Sequence, residues 1–284
     1  MSIQSKETNG NELVLVLGAT GKTGRRIVTA LEEQGVPVRR GSRSASPAFD
    51  WNNSSNWDAI LDDVTRIYIN YAPDLAMPGA TDAIGELTRR ARKAGVKHVV
   101  LLSGRGEEEA QACEAVVQGS DIDWTIIRAS WFNQNFSEGA FVEMVQAGQI
   151  TLPDVSTPEP FVDIDDIAAV AVTALTQSGH AGELYEVTGP RMLTLWDIAN
   201  ELSKATGRAI EYVPVPHEDF VAGVSDSGAP QDVVWMLDYL FATVLDGRNA
   251  YLTDGVQRAL GREPKDFADY ARQVAEAGLW RAVG

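Results

Sequence analysis

The sequence contains a single cysteine, Cys113, among 284 residues. One cysteine excludes an internal disulfide and a cysteine-rich metal site. The chain has only 3 histidines, and they are scattered along it. We therefore predict a functional site that holds no metal.

Long apolar runs and a basic surface are missing as well. No apolar run approaches the ~18 residues of a membrane-spanning helix, and no signal peptide precedes the first apolar segment. The 24 basic residues are outnumbered by 40 acidic residues, which gives a net charge of −16. Nucleic-acid binding needs a basic face, which this composition does not favour. We expect a cytoplasmic protein with neither a nucleic-acid partner nor a membrane partner.

What the chain does contain is a glycine-rich turn near its start. The unbroken apolar run at residues 13–17 predicts a parallel strand that is covered on both faces. An amphipathic helix follows the glycines. Glycines at three-residue spacing between a strand and a helix are typical of a turn that binds dinucleotide phosphates at the helix N-terminus, although such turns also occur for purely structural reasons. The residues assigned to this turn are Gly18, Thr20, Gly21, Lys22, Thr23 and Gly24.

The end of the second predicted strand should reach the adenosine ribose of a bound dinucleotide. A site that prefers NAD places an acidic residue there, but this chain has Arg39, Arg40, Ser42 and Arg43, with no acid before Asp50. A guanidinium group and a hydroxyl group favour the 2′-phosphate of NADP. Arg43 is the preferred ligand, with Arg39 and Arg40 free to point elsewhere. The alternative is a solvated basic loop.

The next segments are predicted to complete the cofactor site. Residues 48–51 follow after a loop crossover, where Asp50 is placed to accept from the adenine amino group and Trp51 to flank the ring. A structural role for these two residues is the alternative. Loops at the ends of parallel strands line the ligand crevice of an open sheet. The residues that the next two strand ends contribute are Asn70, Tyr71, Ala72 and Ser103.

A dense aromatic group follows the predicted strand at residues 123–128, which is counted as the sixth strand. Aromatic side chains beyond a strand end suit a flat apolar substrate. The alternative is that they only pack the two lobes together. The predicted substrate-lining residues are Trp131, Phe132, Asn133, Phe136 and Phe161.

Three acidic residues at positions 163, 165 and 166 look like a metal cluster at first sight. We predict that they cap the helix at residues 167–176, because acidic side chains favour the first turn of a helix.

Several motifs together resemble the NmrA-like family of atypical short-chain dehydrogenases/reductases. The motifs are the glycine spacing, Trp-Thr-Ile-Ile-Arg at 124–128, Phe-x-Gln-Asn-Phe at 132–136, and the segments 160–168 and 185–190. The chain is similar in particular to members grouped with festuclavine dehydrogenases and NADPH quinone reductases. The resemblance implies NADP(H) binding on a Rossmann-type doubly wound parallel sheet, class α/β, with a small α+β C-terminal substrate lobe.

This resemblance and the sequence pattern predict the domain organisation. Residues 1–11 are expected to form a flexible tail. Residues 12–150 would form the NADP-binding Rossmann domain, to which residues 160–190 contribute strands. Residues 191–284 would form a mainly helical substrate lobe.

Short-chain reductases use a tyrosine as proton donor and a lysine four residues later. This chain has no tyrosine between Tyr71 and Tyr185 and no lysine between Lys97 and Lys204. The acidic segment 107–109 suits the positive end of a helix but supplies no obvious acid at neutral pH. The catalytic residue is therefore unknown, and Ser103 is the first to test.

The sequence leaves two functions open. The first is an NADPH-dependent reductase that transfers hydride to a small planar acceptor such as a quinone or an iminium ion, because neither needs a Tyr/Lys pair. The second is a redox sensor that binds NADP(H) without turnover and acts through a protein partner. A homodimer is also open.

Overall fold

The computed structural model describes residues 12–139 and 141–281, so the predicted tail at 1–11 lies outside the described residues. The strands are β1 (Leu13–Leu17), β2 (Val38–Gly41), β3 (Val64–Ile69), β4 (His98–Gly104), β5 (Asp123–Ala129), β6 (Gln149–Pro153), β7 (Glu183–Val187) and β8 (Glu211–Val215). The helices are α1 (Lys22–Glu33), α2 (Trp57–Leu61), α3 (Ala80–Ala94), α4 (Glu108–Gln118), α5 (Val142–Ala147), α6 (Ile164–Thr176), α7 (Leu195–Thr206), α8 (His217–Asp226), α9 (Gln231–Tyr239), α10 (Gly255–Leu260) and α11 (Phe267–Glu276).

Six parallel strands form the central sheet in the order β2-β1-β3-β4-β5-β7. Apolar side chains cover both faces, with α1, α6 and α10 packed on one and α2, α3 and α4 on the other. The predicted Rossmann-type doubly wound sheet is confirmed. Strand order reverses between β1 and β3, and ligands of such sheets bind at the carboxyl ends of the strands beside this point.

Residues 48–51 form no strand of this sheet, so β5 is its fifth strand in chain order and not the sixth. The segment has only an isolated bridge between Asp50 and Asn53. Phe49 and Trp51 instead pack against Trp57, with ring centroids 5.3 Å and 5.7 Å from its ring. The connection from β2 to the next strand of the sheet, β3, therefore includes both this loop and the short helix α2.

A second, smaller sheet pairs β6 with β8 in parallel. Helices α5, α7, α8, α9 and α11 surround it and share one apolar core. The predicted domain boundary at residue 150 falls inside β6, and the sequence did not indicate α5, β6 or α10. The division into domains stays a prediction.

Helix ends follow the local sequence rules. Asp163 caps α6 by accepting from the backbone N–H of Asp165 at 2.8 Å, as predicted for this acidic group. Thr194 and Asp197 form a capping box at the start of α7. Across residues 12–139 and 141–281, no helix is both long and apolar enough to cross a bilayer.

Candidate functional site

The glycine turn between β1 and α1 has the geometry of a phosphate cradle. Gly18 adopts a φ of +70°, which favours glycine. A Cβ atom at Gly24 would lie 2.1 Å from the carbonyl oxygen of Gly18, so α1 packs directly on the turn. Gly21 is the N-cap of α1 and supplies no side-chain cap. The first N–H groups of this twelve-residue helix are therefore available to anionic oxygens, which fits the phosphates of a dinucleotide.

Lys22 adds positive charge beside this helix end. Its ammonium group donates to Oδ1 of Asn135 at 2.8 Å, which links the turn to the aromatic segment after β5. Burial lowers the pKa of Lys22, and the neighbouring Glu138 carboxylate opposes that shift. Glu138 also pairs with Arg25 and Arg26. These ion pairs fix the segment after β5 against the N-terminal turn of α1.

Of the basic residues predicted near the ribose, two are used by the fold. Arg39 donates to the carbonyl oxygens of Ile60 and Asp62, at the end of α2, and Arg40 pairs with Glu32 at 2.7 Å. Arg39 is thus held away from a phosphate ligand role because its guanidinium binds these carbonyls. Arg43 is exposed in the loop after β2, and no hydrogen bond from the described residues engages its side chain.

The predicted adenine residues lie close to the end of β3. Trp51 contacts Tyr71, with ring centroids 4.7 Å apart, and Asp50 accepts from the backbone N–H of Asn52 at 2.9 Å. The side chain of Asn70 lies against the glycine turn, since a Cβ atom at Gly18 would be 3.0 Å from its Nδ2. The remaining predicted residues are also placed around this edge: Thr20 and Ala72 are exposed, Ser42 is half-buried, and Thr23 is buried and accepts from the Tyr68 hydroxyl at 3.0 Å.

A cavity of about 330 Å³ opens at the same edge of the sheet. Its walls come from the turn of α1, the loops after β3, β4 and β5, and the end of α9. Apolar and aromatic side chains predominate, and a few polar groups converge on the space, as in small-molecule sites. The residues that line the cavity include Lys22, Asn70, Tyr71, Asp74, Ser103, Arg105, Glu107, Trp131, Phe132, Asn135, Glu159 and Leu237.

Two of the five predicted substrate-lining residues reach this cavity, namely Trp131 and Phe132. Phe136 and Phe161 are buried in the core of the smaller lobe, with ring centroids 6.0 Å apart. Asn133 is also fully buried. These three residues do not line the cavity as predicted. Asn133 and Phe136 belong to the 3-10 turn that follows Phe132 and are buried, and Phe161 packs against Phe136 in the core.

Ser103 lines the cavity, but its hydroxyl group donates to Oε1 of Glu114 at 2.6 Å. Glu114 in turn accepts two hydrogen bonds from Arg128, one of them at 2.9 Å. The hydroxyl proton of Ser103 therefore points away from the cavity. Only the oxygen lone pairs of Ser103 are free, so it suits accepting a hydrogen bond from a ligand rather than donating a proton.

Glu107 departs from the sequence-based interpretation that residues 107–109 supply no acid. A Cβ atom at Gly104 would lie 2.0 Å from its Oε1, so the carboxyl group rests on the end of β4. The residue is 5% exposed, and Asp74 is a neighbouring carboxyl group at the same cavity wall. Burial, and then the neighbouring Asp74 carboxylate, raise the pKa of Glu107 to about 9. Glu107 is thus a neutral acid at pH 7.

A second buried carboxyl group, Glu159, lines the same cavity. Burial raises the pKa of Glu159 to about 7, against the opposing influence of Arg105. Arg105 is itself buried and pairs with Glu186 at 2.7 Å. Its guanidinium also donates to the carbonyl oxygens of residues 249 and 251, which ties the C-terminal segment to the end of β4.

The sequence reasoning missed several polar groups of the cavity, including Asp74, Arg105, Glu107 and Glu159. Asp74 and the pair Arg105 and Glu107 follow the ends of adjacent parallel strands, which is the one signal that the sequence offered for them. Glu159 follows no strand of the central sheet, so no comparable signal existed. Among the described residues, no group of three or more His, Cys, Asp or Glu side chains is arranged to hold a metal ion.

Comparisons with known proteins find relatives that match almost the full length of the chain. The chain is 29% identical to an NAD(P)H azoreductase of Xenophilus azovorans, over 93% of this chain and 99% of that protein. It is also 29% identical to an agroclavine dehydrogenase of Claviceps fusiformis, over 94% of this chain and 99% of that protein.

Solved structures share the fold. An NADPH-dependent quinone oxidoreductase of Escherichia coli, solved with NADPH, superposes with a TM-score of 0.75 at 20% identity, over 92% of this chain and 99% of that chain. The negative transcriptional regulator NmrA, solved with NAD, superposes with a TM-score of 0.69 at 15% identity, over 94% of this chain and 96% of that chain. These matches confirm the resemblance that the sequence motifs indicated. A family model described as NAD(P)H-binding matches residues 18–178, more than half of the chain, and the chain therefore belongs to this NAD(P)H-binding family.

Proposed function

We propose that the protein is an NADPH-dependent reductase that transfers hydride to a small planar acceptor. The observation that carries the proposal is the cavity of about 330 Å³ at the carboxyl ends of β3, β4 and β5, next to the uncapped start of α1. A nicotinamide cofactor supplies the hydride when bound. The protein excludes water and holds the acceptor in place, which is catalysis by proximity.

The residues divide into two groups by position. Gly18, Gly21, Lys22 and Asn70 would hold the pyrophosphate and the nearby ribose, and the exposed Arg43 would bind the 2′-phosphate. Trp131 and Phe132, with the tip of α9, would contact the flat face of the acceptor. This arrangement suits quinones, azo compounds and iminium ions, which are planar and accept hydride without a Tyr/Lys pair. Two relatives named as an azoreductase and an agroclavine dehydrogenase support the same class.

A test is stopped-flow mixing of the protein with NADPH and a quinone, an azo dye or an iminium salt. We expect oxidation of NADPH with at least one acceptor, and a loss of that rate when Trp131 is replaced by Ala. Cofactor binding without oxidation by any of the three acceptors would contradict the reductase and favour the NADP(H)-binding sensor.

A further inference from the structure

The cavity holds a polar side chain that the proposed function leaves without a task. Glu107 precedes α4, and its carboxyl group lies between Gly104 at the end of β4 and Asp74 in the loop after β3. Both Glu107 and Asp74 line the cavity. Oε2 of Glu107 is buried, and no hydrogen-bond donor of the described residues reaches it.

A buried carboxylate without donors is costly, whereas a neutral carboxylic acid in the same place needs only one acceptor. Asp74 is the neighbouring carboxyl group at the same cavity wall, and its Oδ1 accepts from the backbone N–H of Ala76 at 2.8 Å. A nearby negative charge disfavours the ionised form of a buried carboxyl group, so this position favours the protonated form of Glu107. The position of Glu107 therefore stores a proton at the cavity wall.

The charged groups around Glu107 favour its protonated, neutral form. Asp74, Glu109 and Glu114 face it with acidic side chains, and Tyr239 of α9 faces it with a hydroxyl group that donates to Glu109 at 2.8 Å. Arg128 is bound to Glu114, so that cation is already neutralised. Arg248 donates to the carbonyl oxygen of Gly106 but is paired with Asp246.

We propose that Glu107 donates a proton to the acceptor during its reduction and so takes the place of the missing tyrosine. The inference rests on the proposed function. With a quinone, a bound reduced nicotinamide would supply the hydride and be oxidised, and the hydride with its electron pair would end as the O–H bond on one quinone oxygen. The carboxyl O–H bond of Glu107 breaks as an O–H bond forms on the other quinone oxygen. The quinone becomes a hydroquinone. Glu107 is left as a carboxylate and recovers its proton from water.

Protonation of Glu107 is tested without turnover. Infrared difference spectra of the protein without cofactor, compared with Glu107→Gln, should show a carboxylic-acid band at pH 7 that disappears as the pH passes the pKa of about 9. Asp74→Asn should move that loss to lower pH, because a neighbouring negative charge is gone. Glu108→Gln removes one negative charge at an exposed neighbouring residue, as Asp74→Asn does beside Glu107, and should leave the pH at which the band disappears unchanged. Absence of the band in the wild-type protein at pH 7 overturns the proposal.

Proton donation is tested by two acceptors that differ in their need for a proton. Reduction of 1,4-naphthoquinone consumes a proton, whereas reduction of the N-methylacridinium ion consumes only hydride. Glu107→Gln should lower kcat with the quinone by about 10²-fold or more, the typical contribution of general acid catalysis, and leave kcat with the acridinium ion unchanged. Glu108→Gln should retain both activities.

The outcomes separate the two levels of the account. Equal losses with both acceptors would mean that Glu107 supports the structure or the cofactor, and unchanged quinone reduction would mean that water supplies the proton. Either result overturns the role of Glu107 while the reductase stands. A wild-type protein that oxidises NADPH with neither acceptor would overturn the proposed function itself.

Discussion

Replacing Arg43 by Ala is the sharpest perturbation of the cofactor preference. Arg43 is exposed in the loop after β2, whereas Arg39 and Arg40 are bound to Ile60, Asp62 and Glu32. Arg43 is therefore the guanidinium that is available to a 2′-phosphate without breaking a contact of the fold. NADH has no such phosphate, so its affinity should not depend on Arg43.

The magnitude follows from the contact that is lost. A charge-assisted hydrogen bond contributes about 1.5–3 kcal/mol, which corresponds to a rise in the Kd for NADPH of about 10- to 150-fold. Isothermal titration calorimetry with NADPH and with NADH measures both values on the same protein. Raising the salt concentration should reduce the difference in the Kd for NADPH between the wild type and Arg43→Ala, because the contact is exposed and salt screens it.

Arg40→Ala is the matched control. It removes the same charge three residues away, but its side chain is occupied by Glu32 at 2.7 Å. We expect little change in the Kd for either cofactor. Equal losses of NADPH and NADH affinity in Arg43→Ala, or a loss of NADPH affinity as large in Arg40→Ala, would refute the assignment of Arg43 to the 2′-phosphate.

Three further predictions concern the turn, the buried acid and the aromatic wall. Gly24→Ala should lower the free energy of unfolding by about 1–3 kcal/mol, because its Cβ atom would overlap a backbone oxygen. Gly223→Ala should not lower it, because a Cβ atom at Gly223 meets nothing within 4 Å. Chemical denaturation measures the free energy of unfolding of both variants. The folded protein keeps a proton on Glu107, whose pKa is raised, while the unfolded chain releases it near the ordinary value. Raising the pH from 6 to 8 should therefore lower the free energy of unfolding of the wild type, relative to Glu107→Gln, by at most about 3 kcal/mol. Identical pH profiles would contradict this. Trp131→Ala should raise KM for a planar acceptor at least about fivefold, the effect of about 1 kcal/mol of ring contact, with the Kd for NADPH unchanged.

Much of the fold was predictable because its signals are local. Helix α3 begins at Ala80 and ends at Ala94, where Gly95 adopts the left-handed conformation that favours glycine. The cap at Asp163 is equally local. In contrast, residues 48–51 have the apolar character of a strand, but they pack on Trp57 instead of adding to the sheet edge. That choice depends on tertiary packing, which no short window of sequence contains.

The candidate site was likewise predictable from the sequence only where its signals are local. The glycine turn could be predicted because strand, glycines and helix are adjacent in the chain. The chemistry of Glu107 could not be predicted, since its neighbours Asp74 and Tyr239 are far away in sequence. Phe136 shows the converse, because aromatic composition placed it at a surface that the backbone turns it away from.

We propose that a dinucleotide binds across the start of α1 with its reactive ring in the cavity beside Glu107. A crystal structure of the protein with NADPH tests this most directly. We predict that the pyrophosphate accepts from the first N–H groups of α1 and that the nicotinamide ring lies between Ser103 and Trp131. A pyrophosphate bound elsewhere, or a nicotinamide ring outside the cavity, would contradict the account.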